Sequence, residues 1–265
     1  MIEFATLRDV LLRGSLDIEG HLSGASNATL RAVSALDGVE VTCVYKPRRG
    51  ERPLWDFPTG SLGLREVAAF EVSRSAGWPL IPVTVWRDEG PYGAGMCQQW
   101  IEVDETAFPV EVLAPQEVPT GWRTIAEGEG MRGEPVCLAH EDSADLRRLS
   151  LLDVVLNNAD RKGGHVLRDG DGRLQGIDHG LTFHVDDKLR TVLWGWAGEE
   201  IEPADRDALT AWAQRWAGEG VLDDLGELLT VTEARMTQRR LEDLLAGGHY
   251  PDPGGAWPAL PWPAM

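Results

Sequence analysis

Two short polar segments in the second half of the chain carry the residue types best suited to chemistry. The first, NNADRKGGHVL at 157–167, follows an apolar run and holds Asp160 and His165. The second, GIDHGLTF at 176–183, places Asp178 between an isoleucine and a His-Gly pair. A hairpin-like stretch joins the two segments, so both loop ends can lie side by side. Two carboxylates and one imidazole at one point would form a site for a hard or borderline divalent metal ion.

A third segment, VTCVYKP, ends an alternating strand pattern with Lys46, whose side chain should face away from that of Tyr45. Only three of the 25 basic residues are lysines, so a lysine at this position calls for an explanation. A cation that binds phosphate, a divalent metal ion and a free carboxylate together supply what phosphoryl transfer needs. Taken singly, the three segments are also compatible with a polar turn, a strand-end acid and a solvated lysine.

The pattern of residues 1–101 predicts a β-rich N-lobe. Residues 15–46 alternate in three short runs, and the pair Asp37-Gly38 is a strong hairpin signal. A Pro-rich loop then leads into a helix over 62–77, and two further strands follow it. Five strands with one or two helices make a small α+β lobe.

Residues 102–248 predict a mainly helical C-lobe. Its first part, 102–141, is a strongly acidic hairpin insertion that we expect to be solvated and peripheral. A Pro-rich tail, 249–265, should be extended. The fold class is therefore α+β with two lobes, and ligands prefer the cleft between such lobes. Helices are predicted after a cap at Asp142 or Ser143, over 203–217, and over 232–246 with Thr232 as the cap.

The order of these motifs resembles the phosphoinositide 3-/4-kinase-like superfamily, and most of all its small actinobacterial atypical protein kinases. In such kinases a catalytic loop of the form D-R-x-x-x-N is followed by I-D-x-G. This sequence has DRKGGH at 160–165 and then IDHG at 177–180. The resemblance spans roughly residues 14–200, and it implies a protein-kinase-like fold.

The resemblance also implies roles for individual residues. Asp160 would be the catalytic aspartate, and Asp178 would be a metal ligand. His165 would be the second metal ligand, in a position where the family normally has Asn. Lys46 would bind the nucleotide, and Glu66 in REVAAF would be the helix glutamate that pairs with it.

For the nucleotide, the resemblance implies an inter-lobe hinge in CQQWIE and a phosphate-covering loop near residues 20–27. That loop lacks the dense glycines of a G-x-G-x-x-G sequence, although its amides could still bind phosphate as a nest. The change from Asn to His at 165 favours Mn²⁺ over Mg²⁺, because imidazole suits later divalent ions. The expected nucleotide-binding residues are Ser23, Gly24, Ser26, Gln99, Trp100 and Ile101.

Composition excludes several classes of partner. The chain has 265 residues and a formal net charge of −18 at pH 7, which argues against nucleic-acid binding and against stable association with anionic membranes. The N-terminus does not look like a secretory signal, and no apolar run is long enough to span a bilayer. Cys43, Cys97 and Cys137 lack metal-ligand spacing and suggest reduced thiols in a cytoplasmic protein.

We expect an ATP- and Mg²⁺- or Mn²⁺-dependent kinase that phosphorylates a protein Ser/Thr, including its own. Thr182 and Thr191 in the activation-like stretch 181–198 are available as acceptors. One alternative is a nucleotide-binding pseudokinase that serves as an interaction module, because the phosphate loop is poor in glycine. The other is a kinase of a small molecule or a lipid headgroup, of which the net charge disfavours the lipid.

Overall fold

The N-terminal half is built on an antiparallel five-stranded sheet. The computed structural model describes residues 2–22, 27–58, 60–218, 225–254 and 257–265. The strand order is β1-β2-β3-β5-β4. The strands are β1 (Ser15–His21), β2 (Leu30–Leu36), β3 (Val39–Pro47), β4 (Thr84–Arg87) and β5 (Gly95–Gln99).

Alternation along β3 places one face in the core and the other toward the cleft. Cys43 and Tyr45 are fully buried, whereas Lys46 lies on the opposite face and is half-buried. The hairpin between β2 and β3 turns at Asp37 and Gly38, which take φ values of 50° and 80°. A type I′ turn requires positive φ at both positions, so the Asp-Gly signal is confirmed.

Two helices pack on this sheet, α1 (Phe4–Arg13) and α2 (Leu62–Ser75). The predicted helix over 62–77 is two residues too long, because Gly77 already has a φ of 73°. The first turn of α2 is capped from a distance. The Glu51 carboxylate accepts hydrogen bonds from the backbone N–H groups of Leu62 (3.1 Å) and Gly63 (2.9 Å).

The acidic insertion forms a three-stranded sheet rather than the simple solvated hairpin expected. Its strands are β6 (Val110–Leu113), β7 (Trp122–Glu129) and β8 (Pro135–Glu141), in the order β6-β8-β7. Most of the acids lie in the connecting loops, and the central strand β8 is buried from Cys137 to His140. The prediction failed because the high average charge of residues 102–141 conceals one apolar strand, β8. This strand pairs with a neighbouring strand on each of its edges.

The described part of the C-lobe contains three long helices, α3 (Ala144–Leu156), α4 (Pro203–Gly218) and α5 (Val231–Gly247), and a short hairpin of β9 (Val166–Arg168) and β10 (Leu174–Gly176). The cap of α5 is Thr230, not Thr232. Thr230 and Glu233 form a reciprocal capping box, and the C-cap is Gly248 with a φ of 68°.

The chain thus folds as two α+β lobes with a cleft between them, which confirms the predicted fold class. The three cysteines are buried free thiols. Among the described residues, no helix is long and apolar enough to cross a membrane.

His140 on β8 is a buried imidazole that must stay neutral. Its Nε2 accepts a hydrogen bond from the backbone N–H of Gly195 at 3.1 Å, so the proton resides on Nδ1, which lies 2.7 Å from the Glu141 carbonyl oxygen. The ring packs against that of Trp196 at a tilt of 36°, with centroids 4.4 Å apart. Burial lowers the pKa of His140 to about 4.

This shift predicts a loss of stability in mild acid. Below pH 6.5 His140 becomes protonated in the unfolded chain but stays neutral in the folded chain. The free energy of unfolding therefore falls with pH until about pH 4, where the folded chain also binds the proton. The loss between pH 7 and pH 5 should be about 2 kcal/mol from this residue. Urea unfolding at both pH values tests it: His140→Gln should have a smaller pH dependence than the wild type. Equal pH dependence in the two proteins would contradict it.

Candidate active site

Four of the sequence-predicted residues meet across the cleft. Lys46 from β3 donates hydrogen bonds to Glu66 Oε1 on α2 (2.7 Å) and to Asp178 Oδ1 in the C-lobe (3.0 Å). The other Asp178 oxygen, Oδ2, lies 3.5 Å from His165 Nε2. We call Lys46, Glu66, Asp178 and His165 the cleft cluster. It joins two elements of the N-lobe to two loops of the C-lobe.

The charges of the cleft cluster are strongly coupled. Burial opposes the charge on Lys46, but Asp178 and Glu66 outweigh it and raise the pKa of the lysine. Lys46 in turn holds the pKa of Asp178 well below its usual range. Burial raises the pKa of Glu66 to about 7. Glu66 Oε2 is buried without a hydrogen-bond partner among the described residues, so this carboxylate depends on Lys46.

His165 and Asp178 have the chemistry of metal ligands. Burial lowers the pKa of His165, which keeps the imidazole neutral and able to coordinate. Among the described residues no group of three His, Cys, Asp or Glu side chains converges on one point. Two protein ligands suit an ion that completes its shell with phosphate oxygens and water, as Mg²⁺ does in phosphoryl-transfer sites. The pair therefore fits a nucleotide-borne metal ion better than a dedicated protein cage.

Asp160 lies beside the cleft cluster but has its own partners. Its carboxylate is 3.3 Å from Lys162 Nζ and 3.4 Å from Arg190 Nη2. Its backbone N–H donates to Asn158 Oδ1 at 3.0 Å. Its charge reaches His165 and opposes the lowering of the histidine pKa. Asp160 is thus a positioned, partly exposed acid next to the candidate metal ligands.

A fully buried ion pair holds these loops in place. Arg161 Nε and Nη2 bind Asp153 of α3 at 2.8 and 2.9 Å, and neither side chain is exposed. Arg161 Nη1 donates to the carbonyl oxygens of His165 (3.2 Å) and Ile177 (2.9 Å). Arg161 Nη2 also lies 2.6 Å from His179 Nε2. One guanidinium thus connects the loop of His165 with the loop of Asp178.

Sequence reasoning missed Asp153 and assigned no role to Arg161 or His179. The available signal was Asp153 itself, a carboxylate within the apolar helical run LSLLDVVL. An acid at such a position is buried, and a buried acid requires a cationic partner.

The hinge offers fewer donors than expected. The Gln99 N–H already donates to Val83 O (2.8 Å), and the Trp100 N–H donates to Thr42 O (3.0 Å). These amides cannot also donate to an adenine, because the sheet uses them. The Ile101 N–H has no backbone acceptor among the described residues. Three further predicted nucleotide-binding residues, Ser23, Gly24 and Ser26, lie outside the residues that the structure describes.

A loop of the N-lobe is attached to the activation-like stretch. Lys188 Nζ donates to Asp56 Oδ2 at 2.5 Å and lies over the rings of Trp55 (4.8 Å) and Trp257 (4.5 Å). Arg65 on α2 donates to the Thr182 carbonyl oxygen at 2.5 Å and forms a buried ion pair with Glu233. These contacts fix α2, and with it Glu66, against the C-lobe.

The two threonines of this stretch are not exposed acceptors. Thr182 is 0% exposed and Thr191 is 2% exposed. A different hydroxyl, or a rearranged stretch, would have to accept phosphate.

A groove of about 750 Å³ runs along the hinge on the side that faces α1. Trp78, Leu80 and Trp100 line it, and no member of the cleft cluster does. Although this groove is large, it holds none of the residues of the cleft cluster, so we do not assign the reaction to it.

Solved structures share this fold. The crystal structure of the Golgi casein kinase with Mn/ADP bound has a TM-score of 0.57, with 14% identity over 91% of this chain and 74% of that one. The structure of hydra Fam20 with sugar has a TM-score of 0.52, with 15% identity over 93% of this chain and 90% of that one. At such identities the likeness concerns the fold alone, which is kinase-like. The phosphoinositide-kinase resemblance has no counterpart among these neighbours.

No protein-family model matches the sequence. Protein Rv2133c of Mycobacterium tuberculosis is 42% identical to it over 273 residues, which cover 98% of this chain and 97% of that protein. Similarity of this degree over nearly all of both chains shows common descent. The chain therefore belongs to the same family as Protein Rv2133c.

Proposed function

We propose that this protein is an atypical kinase that transfers the γ-phosphoryl group of ATP to a protein Ser or Thr hydroxyl, including its own. The observation that carries the proposal is the cleft cluster, in which a lysine held by a buried glutamate faces an aspartate and a neutral histidine across the lobes. The kinase-like fold of the neighbours supports the same reaction class.

Each residue of the site has a role in phosphoryl transfer that follows from its charge. Lys46 exchanges its contact with Asp178 for phosphate oxygens of the nucleotide, while Glu66 keeps the ammonium group in place. Asp178 and His165 would hold Mg²⁺ or Mn²⁺, which neutralises developing charge on the phosphates. Asp160, on the adjacent loop, orients the acceptor hydroxyl and takes its proton.

Phosphoryl transfer is tested by incubating the purified full chain with γ-labelled ATP and Mn²⁺ or Mg²⁺, alone and with a mixture of protein acceptors. We expect metal-dependent label on Ser or Thr, located by mass spectrometry and absent with Asp160→Asn. Without label, a melting temperature raised by ADP and metal ion would favour the pseudokinase. Label found only on added inositol lipids or small metabolites would favour the other alternative.

The imidazole of His165 should set the metal preference. Replacing it with the family's usual residue, His165→Asn, removes a nitrogen ligand that favours later divalent ions. We expect the ratio of activity in Mn²⁺ to activity in Mg²⁺ to fall by about tenfold. His249→Asn, a change at an exposed histidine of the C-lobe, is the matched control. An unchanged ratio in His165→Asn would remove His165 from the metal site.

A further inference from the structure

A second large cavity lies in the C-lobe, away from the cleft cluster. Its volume is about 1080 Å³, and it is bounded by α5, the 181–198 stretch and the tail. Apolar and aromatic side chains make up much of the wall, among them Trp194, Met236 and Leu244. Ligand sites in proteins are concave, mostly apolar and equipped with a few polar groups. The cavity meets the first two conditions.

The polar groups are also present, and they lack partners. Arg240 Nη1, the Tyr250 hydroxyl and Trp257 Nε1 are buried without a hydrogen bond among the described residues, and all three residues line this cavity. Tyr250 is 4% exposed. Folded proteins satisfy most buried polar groups, so three orphaned atoms on one cavity need an explanation. Arginine and tryptophan side chains only donate, so the missing partner supplies acceptor oxygens.

The charge of Arg240 narrows the class of ligand. Its Nη2 donates only to the carbonyl oxygens of His184 (2.6 Å) and Val185 (3.2 Å). Among the described residues no carboxylate lies within ion-pair distance of this guanidinium. Arg240 is half-buried, and burial lowers its pKa although the charge of Asp187 opposes this. An anion bound in the cavity would give the guanidinium a direct counter-ion.

The acidic side chains that line the cavity favour a ligand with one negative charge over a ligand with two. Asp187 and Asp252 line the cavity, and Asp243, a third acid, pairs with Arg239 at 3.6 Å. These acids would repel a dianion such as a phosphate monoester about twice as strongly as a monoanion. We propose that this cavity binds an apolar monocarboxylate, whose oxygens accept from Arg240, Tyr250 and Trp257 while its body packs on the aromatic wall.

Trp257 connects the wall of the cavity with the N-lobe. It belongs to the tail, is only half-buried, and contacts Lys188 and Trp55 through its ring. The inference is independent of the proposed phosphoryl transfer, because no residue of the cleft cluster takes part.

The test is calorimetric titration of the full chain with hydrocinnamate, and with hydrocinnamyl alcohol and phenyl phosphate for comparison. We expect hydrocinnamate to bind with a Kd below about 1 mM, and the alcohol and the phosphate to bind at least about tenfold more weakly. In a ¹⁵N-labelled protein the indole N–H signal that disappears in Trp257→Phe should move downfield on binding.

Variants of the lining make the site assignment falsifiable. Arg240→Gln should weaken hydrocinnamate binding at least about tenfold, and Tyr250→Phe about fivefold. Arg235→Gln, a change at an exposed arginine of α5 that does not line the cavity, should leave the Kd within about twofold. Tyr250→Phe removes an unpaired hydroxyl, so it should not lower the melting temperature, and it tests the site even if Arg240→Gln unfolds. No binding, equal binding of the alcohol, tighter binding of phenyl phosphate, or indifference to both variants would overturn the proposal.

Discussion

Asp178→Asn is expected to reduce phosphoryl transfer by at least about a thousandfold, equivalent to about 4 kcal/mol of transition-state stabilisation. The substitution removes the only carboxylate that lies beside both Lys46 Nζ (3.0 Å) and His165 Nε2 (3.5 Å) in the described cleft. The fold should survive, because Asp178 has a φ of 59° and Asn tolerates this left-handed conformation. Steady-state assays with γ-labelled ATP, together with circular dichroism and melting temperature, measure both effects.

The matched control for Asp178→Asn is Asp186→Asn. Asp186 lies in the neighbouring stretch, and its side chain is 78% exposed. It should retain activity within about twofold, since surface changes away from special features have small effects. If Asp178→Asn kept a tenth or more of wild-type activity, the metal assignment would be wrong.

Arg161→Met should lower the free energy of unfolding by about 3–5 kcal/mol, because it leaves the carboxylate of Asp153 buried without its counter-ion. It also removes the hydrogen bonds to the carbonyl oxygens of His165 and Ile177. Activity should therefore fall further than the loss of folded protein explains. Urea unfolding at pH 7 and activity per folded molecule measure the two effects.

Two further variants isolate the ion pair. Arg173→Met changes an arginine whose side chain is 54% exposed, paired on the surface with Asp169, and it should cost no more than about 0.5 kcal/mol. The double variant Asp153→Leu/Arg161→Met should recover part of the stability lost in Arg161→Met, since no unpaired charge stays buried. A loss below about 1 kcal/mol in Arg161→Met would show that the pair does not hold the loops.

Local patterns were sufficient to predict much of the fold. The period-two alternation of β3 predicted that Lys46 and Tyr45 face opposite ways, since strand geometry fixes this without tertiary information. The pair Asp37-Gly38 predicted a hairpin, because few residues other than these accept two consecutive positive φ values.

Predictions that depended on long-range contacts were less complete. The cap of α2 comes from Glu51, which is outside the helix and shows no capping pattern in sequence. Thr232 was predicted as the cap of α5 two residues after the true cap, because Thr230 and Thr232 have the same local chemistry and only the reciprocal bond with Glu233 distinguishes them. Contacts between lobes, such as Lys188 with Asp56, leave no periodic trace.

In the candidate site, too, the sequence predicted some residues and missed others. Residue type and order placed Lys46, Asp178 and His165 in one hypothesis, the family resemblance added Glu66, and the structure brings all four together. What residue order could not supply was the support behind them. The bonds that align the two loops run through Arg161 to Asp153, and this pairing depends on how α3 packs under the loops.

The most direct test of the candidate site is electron paramagnetic resonance of Mn²⁺ titrated into the full chain with ADP. The free-ion signal should decrease as the wild type binds Mn²⁺ with ADP, and the affinity should weaken at least about tenfold in Asp178→Asn. Asp160→Asn should retain the affinity within about threefold, because Asp160 is assigned to the acceptor hydroxyl rather than to the metal ion. Equal binding by Asp178→Asn, or a loss confined to Asp160→Asn, would contradict the assignment.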